Sequence, residues 1–525
     1  MVMRSGNRVP AFGPALMLAV LAAPVLVGMP APAFAEDQPA ARDRGLPSRD
    51  VDLRLTGTIT GADHQSYKRV PFPVPEGVDR LVVAFDYDGR EDKTVIDLGI
   101  EDMHGFRGAS GGNKPHFTIA RSDATPSYLA GPIDGGEWAL ALAIPNIRQG
   151  VTSRWRARIW FLHGAEAQMP PPPTEGRGPG WYRGDLHMHT GHSDASCDSD
   201  AGRRVPCPLF RTVEAAKARG LDFIAVTEHN TSSHANALFE VQDYFDRMLL
   251  IPGREITTFF GHFNVFGITS PIDYRITRGG PVTFDTIADR VHDLGGIVSI
   301  NHPGLPSGEI CMGCGWTMDG VDYAKADAIE LVNGASLASA DRDAEGIVSA
   351  IPFWTQRLSD GYTMAPLGGS DNHDPDGEGL RAVGTPLTVI EAADLTPQAL
   401  FQGIREGRSF IVVDPSIAPL HVDFVAVADG QTAQMGGALR STNPTVRLNP
   451  DVTAPAGSVI QFYRGEQRIA ELALADAEKG VDVDLGAGFH PVHLRIRSAA
   501  GALLAIGNAV QIEIEARPDE APLTR

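Results

Sequence analysis

The stretch Phe223-Ile-Ala-Val-Thr-Glu-His-Asn230 decides how this chain is read. Phe223 to Thr227 is an apolar run without polar alternation, which suits a strand buried on both faces. Polar residues then follow at once, so the strand would deliver Glu228, His229 and Asn230 to one end of a sheet. Similar runs recur at Met248–Ile251, Phe263–Phe266, Ile297–Ile300, Ile329–Val332 and Ala365–Leu367, with helical patterns over Leu209–Ala218 and Phe284–Leu294. Strands alternating with helices predict an α/β fold with a parallel sheet covered on both faces. Residues 181–415, about 235 in all, have the length of an α/β barrel.

Either side of this region the pattern is β. Over residues 51–165, short runs such as Leu53–Thr60, Arg80–Asp86, Trp138–Ile144 and Arg154–Phe161 are separated by turn residues, which predicts a β-sandwich. Residues 166–180 contain Gln168-Met-Pro-Pro-Pro-Pro-Thr174, a stiff polyproline linker. Residues 416–525 return to short strands and are expected to form a second small sandwich with a tail.

The N-terminus has the pattern of a secretory signal over residues 1–35. Arg4 and Arg8 precede a mostly apolar run from Ala15 to Val27, and Ala33-Phe-Ala35 is a cleavage site that leaves Glu36 first. The run is shorter than the roughly 20 apolar residues needed to span a bilayer. Residues 36–50 are polar and expected to be flexible. A periplasmic or secreted location follows, with no membrane span after cleavage. Four cysteines fit export. Local disulfides 197–207 and 311–314 are the favoured pairing; a zinc held by all four thiolates and a crossed pairing are the alternatives.

The 525 residues carry 65 Asp+Glu against 45 Lys+Arg, a formal charge of -20. That balance lacks the basic footprint of a nucleic-acid binder and the polybasic clusters that dock on anionic lipid.

Residues with ligand chemistry gather at predicted strand ends. His187 and His189, in Trp181-Tyr-Arg-Gly-Asp-Leu-His-Met-His-Thr190, stand two apart, so an extended backbone points both to one face. Asp194 follows. His229 ends its strand, Pro252-Gly-Arg-Glu255 supplies Glu255, and His262 opens the run His262-Phe-Asn-Val-Phe266. Asn301-His-Pro303 supplies His302; Gly369-Ser-Asp-Asn-His373 supplies Asp371 and His373. Mixed imidazole and carboxylate donors suit Mn, Zn or Fe. Nine donors exceed what one ion takes, so two or three divalent metal ions are expected.

These motifs resemble those of the PHP (polymerase and histidinol phosphatase) superfamily, with the carbaryl-hydrolase-like CehA/McbA branch as the best match. The resemblance spans residues 180–413. It implies a distorted, TIM-like (β/α)7 barrel, here flanked by the two β-sandwiches. It also implies a first metal on His187, His189, Glu255 and Asp371, and a second on Glu255, His262 and His302. A third would sit on Asp194, His229 and His373, with a metal-bound hydroxide as nucleophile.

Arg254, Arg381 and His192 are candidate substrate contacts, Arg because its guanidinium suits an oxyanion. Glu330 and Asn333 are candidate orienters of the ligands; His234 and the acidic stretch Asp374–Glu378 read as ordinary loop residues. A metal-dependent phosphoesterase acting on a phosphorylated small molecule, monoester or diester, is the leading expectation. A carboxyl-ester or carbamate hydrolase is the alternative, with Phe259, Phe260, Trp316 and Trp354 as apolar lining. An exported binding protein without catalysis is the third.

Overall fold

The computed structural model describes residues 46–168, 176–309, 311–339, 343–417 and 419–516. The expected signal segment and the prolines at 170–173 lie outside them.

The first eight strands are β1 (Leu53–Thr60), β2 (Ser66–Val74), β3 (Arg80–Tyr87), β4 (Val95–Asp102), β5 (Gly105–Ser110), β6 (His116–Ala120), β7 (Gly136–Asn146) and β8 (Thr152–Leu162). They form two four-stranded sheets, β1-β8-β3-β6 and β2-β7-β4-β5. Alternating inward residues interleave between them: Leu81, Val83 and Phe85 of β3 share one core with Leu98 and Ile100 of β4 and Trp138, Leu140 and Leu142 of β7.

A buried ion pair ties this sandwich to the chain that leaves it. Arg80 donates through Nη1 and Nη2 to the two Asp123 carboxylate oxygens at 2.5 and 3.0 Å, and through Nε to Ala167 O at 2.7 Å. Both side chains are only 1% exposed. Asp123→Ala would strand a buried guanidinium and is expected to lower stability by about 3–5 kcal/mol. The double replacement Arg80→Met with Asp123→Leu should lose less than either single change; urea unfolding of the four proteins checks this.

The next strands are β9 (Gly180–Asp185), the small hairpin β10 (Ser196–Asp198) and β11 (Arg204–Pro206), β12 (Phe223–His229), β13 (Leu249–Thr257), β14 (His262–Phe266), β15 (Ile297–Ile300), β16 (Ala328–Asn333), β17 (Ala365–Gly369), β18 (Leu387–Ala392) and β19 (Ser409–Val412). Helices α1 (Leu209–Ala218), α2 (Ala235–Gln242), α3 (Phe284–Asp293), α4 (Gly334–Ser339), α5 (Ile351–Ser359) and α6 (Pro397–Arg405) lie between them. Local chemistry sets these limits. In α3, Thr283 accepts a hydrogen bond from Thr286 N, and Phe284, Ile287, Ala288 and Val291 make one buried stripe.

The sheet order is β17-β16-β15-β14-β13-β12-β9-β18-β19. The expectation of a parallel sheet is corrected in part: β14 runs antiparallel to both β13 and β15, and β18 antiparallel to β9 and β19. Only four residues, 258–261, separate β13 from β14, which permits a hairpin and not a crossover. Among the described residues no strand ladder joins β17 back to β9. The chain just beyond their ends is linked instead: Met188 and Asn372 form a parallel bridge, Asp371 N donates to His187 O at 2.8 Å, and His189 N to Asn372 O at 2.9 Å. The fully buried Asp185 carboxylate reinforces the link, accepting from His187 N, Ser370 N and Gly384 N at 3.1, 3.0 and 2.7 Å.

The C-terminal strands are β20 (His421–Ala428), β21 (Gln431–Gln434), β22 (Ala438–Ser441), β23 (Thr445–Thr453), β24 (Val459–Arg464), β25 (Gln467–Ala473), β26 (Val481–Asp484), β27 (Gly488–Arg497), β28 (Leu503–Gly507) and β29 (Val510–Ile514). The sheet β21-β20-β23-β26 shares a core with β24 and β27: Phe424 and Leu448 are buried with Phe462 and Leu494. The second layer is not a separate sheet. β19 pairs with β28, so β28, β27, β24 and β25 continue the central sheet.

Candidate metal centre

Strands and the segments just past their ends bring the donors together, with Asp194 supplied by the loop between β9 and β10. His187 and His189 follow β9, His229 closes β12, Glu255 lies in β13, His262 opens β14, His302 follows β15, and Asp371 and His373 follow β17. Glu255 is the hub. Its Oε1 lies 3.3 Å from His262 Nδ1, 3.3 Å from His302 Nε2 and 3.5 Å from His187 Nε2. Its Oε2 lies 2.8 Å from His229 Nδ1 and 3.8 Å from His189 Nε2. Asp371 Oδ1 faces His189 Nε2 at 3.2 Å and His187 Nε2 at 3.3 Å. Asp194 faces His373 Nε2 at 3.3 Å and His229 Nε2 at 3.5 Å.

Four overlapping donor groups result: His187, His189 and Asp371; Glu255, His262 and His302; His189, Asp194, His229 and His373; and His187, His302 and Glu330. The first two are almost wholly buried. The group containing Asp194 is open, with that side chain 56% exposed. Glu330 as a possible donor was not among the expected ligands.

The donors fit divalent cations. His187 Nε2 makes no hydrogen bond, and with His262 Nδ1 and His302 Nε2 it faces Glu255 Oε1 at 3.3 to 3.5 Å. Buried imidazole nitrogens that converge on one carboxylate oxygen are suited to coordination. The local electrostatics agree. Burial would raise Glu255 and Asp371, yet the surrounding imidazoles hold both carboxyls well below the usual range. Burial would lower His187, yet Asp371, Glu330 and Glu255 lift it well above its ordinary value. His229 is likewise lifted to about 10 by Asp194 and Glu255. In His189 burial wins and pushes the ring down to about 4. The carboxylates thus attract positive charge to the middle of the cluster.

Backbone strain sits here too. His302 and Asp371, with Asn230 beside His229, have φ of 28, 51 and 54°, left-handed values that residues other than glycine rarely adopt. Gly369 clears the space: a Cβ there would come within 2.5 Å of both Glu330 Oε1 and His187 Cβ.

A surrounding set of side chains fixes the rings. His187 Nδ1 donates to Glu330 Oε1 at 3.1 Å, leaving Nε2 toward Glu255 and Asp371. Glu330 Oε2 accepts from His302 N at 3.2 Å and Asn333 Nδ2 at 3.1 Å, matching the orienting role expected for this pair. His373 Nδ1 donates to Asp371 O at 2.9 Å, leaving Nε2 toward Asp194. Asn301 Nδ2 donates to Glu255 Oε1 at 3.0 Å, and the Thr257 hydroxyl lies 2.8 Å from His229 Nδ1. Glu228, fully buried, accepts from the hydroxyls of Thr190 and Ser193. Sequence reasoning missed Asp185, Glu228, Thr257 and Asn301. Three of them lie inside or against the quoted motifs, but alternation along a strand gives a side chain's face and not its partner.

The three candidate substrate contacts differ in their surroundings. Arg254 alternates to the opposite face of β13 from Glu255; it is 2% exposed and donates to Ser270 O at 3.0 Å, so it is corrected to a structural residue. Arg381 is exposed, and it is its carbonyl that meets Asn372 Nδ2, at 2.7 Å. His192 pairs through Nδ1 with Ser233 Oγ at 3.0 Å. His234 is not a surface loop residue but is fully buried at the start of α2. Asp374 and Asp376 are not merely solvated; they pair with Arg204 and Arg211 at 2.9 and 2.7 Å. Trp354 is fully buried, bonded to Met364 O, and lines nothing. Both local disulfides, Cys197–Cys207 and Cys311–Cys314, are present, which removes the four-thiolate zinc.

No family model and no curated protein matches the chain. Among solved structures it is similar to a two-domain protein from Bacteroides vulgatus ATCC 8482, described as containing a predicted PHP-like metal-dependent phosphoesterase. The identity is 18%, the match covers 65% of this chain and 97% of that one, and the TM-score is 0.35. A glycosyl hydrolase family 2 member from Bacteroides cellulosilyticus DSM 14838 matches at 10% identity over 86% of this chain and 63% of that one, with a TM-score of 0.18.

Proposed function

We propose that this chain is an exported, metal-dependent hydrolase of the PHP type that cleaves phosphoric esters of small molecules. The observation that carries the reading is Glu255, one buried carboxylate facing five imidazoles that belong to overlapping donor groups. His187, His189, Glu255 and Asp371 would hold one divalent cation, Glu255, His262 and His302 a second, and Asp194, His229 and His373 a third. The sheet around them would be the distorted barrel of that family. Such cations supply charge neutralisation for the ester oxygens and acidify a water at neutral pH.

The chain's own residues do the rest. Glu330 holds the proton on His187 Nδ1 and so keeps Nε2 free to bind. The Asp371 carbonyl does the same for His373. Burial of Glu255, His302 and His187 excludes water from the inner part, while the open side at Asp194 admits substrate. The paired cysteines support export, and no helix among the described residues is long and apolar enough to cross a membrane.

A carboxyl-ester or carbamate hydrolase is the second reading. It is favoured by one observation: Arg254, the cation next to the hub, faces away from it. The test is a rate panel on the full chain, stripped with chelator and reloaded with Mn²⁺ or Zn²⁺, using a nitrophenyl phosphate, a bis-nitrophenyl phosphate and a naphthyl acetate. Metal-dependent turnover of either phosphate is expected. Turnover of the acetate alone would move the protein to the second reading, and bound metal with no turnover would leave an exported binding protein.

A further inference from the structure

The hairpin turn between β13 and β14 adjoins the centre. Thr257, before it, touches His229, and His262, after it, faces Glu255. The Thr258 hydroxyl closes the turn, donating to Gly261 O at 2.7 Å and accepting from Phe260 N at 3.1 Å. At its tip Phe259 is 79% exposed. A second turn, closed by Cys311–Cys314, comes from the segment that follows His302, and its Met312 is 75% exposed. The two turns are in backbone contact. Gly313 has φ 79°, and a Cβ there would lie 2.0 Å from Thr258 O and 3.0 Å from Phe259 Cα. Phe260 and Trp316 back this arrangement, Phe260 with its ring 6.4 Å from that of Phe259, and Trp316 against Gly261.

Two large apolar side chains therefore stand in water on adjoining turns, next to the strand ends that carry Glu255, His262 and His302. Each leaves most of its apolar surface in contact with water. The lip is far smaller than the roughly 800 Å² per partner that a stable protein interface buries. Arg278 lies over Phe260 at 4.9 Å and pairs with Asp319, so it is engaged away from the lip.

We infer that Phe259 and Met312 are specificity-determining residues that receive the apolar organic group of the ester. This rests on the hydrolase reading and adds a substrate class to it: esters of an aryl or extended alkyl alcohol rather than of a polyol.

The test compares wild type, Phe259→Ser, Met312→Ser and the double variant, all metal-loaded. Rates are taken on naphthyl phosphate and glycerol phosphate, and calorimetry follows the non-hydrolysable naphthylmethylphosphonate. In the double variant, KM for naphthyl phosphate and Kd for the phosphonate are expected to rise about tenfold, the loss of one ring's apolar contact, with kcat and glycerol phosphate kinetics unchanged. An unchanged ratio between the two esters, or a phosphonate that wild type does not bind, overturns the lip. If no ester is cleaved but the phosphonate binds and weakens in the double variant, the lip stands and the hydrolase reading falls.

Discussion

Glu255→Gln is expected to lower kcat/KM on the order of 10³-fold or more and to reduce the metal content of the folded protein. The substitution keeps the shape of the side chain and removes only its charge. That charge is what five imidazoles face at 2.8 to 3.8 Å, and among the described residues no other carboxylate is grouped with both His262 and His302. Metal counting on the dialysed variant, with circular dichroism to establish folding, separates loss of the centre from loss of the fold. A folded Gln variant that keeps its metals and stays within tenfold of wild-type activity would show that Glu255 is not the hub. Asp194→Asn makes a useful contrast. Its carboxylate is 56% exposed and serves only the open group, so its effect should be the smaller one.

The second large effect is expected at Glu330. Its two oxygens accept from His187 Nδ1, His302 N and Asn333 Nδ2, so one side chain positions two donors. Glu330→Ala should weaken metal binding about 10–100-fold, with activity returning as metal concentration is raised. Glu330→Gln keeps one acceptor oxygen for His187 and should recover part of the loss. Calorimetric titration of the stripped protein with Mn²⁺ distinguishes the two roles the geometry offers. Weaker binding at unchanged stoichiometry means orientation; one fewer ion at saturation means that Glu330 is itself a donor in the His187–His302 group.

Much of this centre was legible in the sequence, for a physical reason. A donor just past an apolar run is placed by the strand, and strands converge at one end of a sheet whatever their order. The two histidines at 187 and 189 needed only the two-residue repeat of extended backbone; Asp371, with φ 51°, and His373 come together through a left-handed turn that this repeat does not describe. The strand containing Glu255 was harder. Pro252 and Gly253 look like breakers, and the reading stopped at Ile251. The structure carries β13 on to Thr257, because Pro252 and Gly253 lie opposite Val226 and Thr227 in a ladder already secured on both sides. The antiparallel course of β14 followed from the four-residue link but stayed hidden while β13 was drawn short. The continuation of the sheet through β19 and β28 had no local signal: Ile411 pairs with Ile506 across most of the C-terminal region. Arg254 was misjudged because adjacency to Glu255 was taken for proximity, where alternation makes it the opposite.

The bridge between Met188 and Asn372 has a consequence for the order of events during synthesis. Its two halves are separated by almost the whole central region, and Asp185 reaches still further, to Gly384. A nascent chain that has emerged only as far as Glu330 already contains His187, His189, Asp194, His229, Glu255, His262 and His302, yet it still lacks Asp371, His373 and the Asn372 half of the bridge that joins the two ends of the region. Contacts of such long range form late, after the intervening loop entropy has been met. If the chain is exported before it folds, the centre would be assembled where the finished chain folds and not where it is made. Under the export proposed above, the ions it first meets are those of the destination, and the cell's choice of compartment becomes its choice of metal.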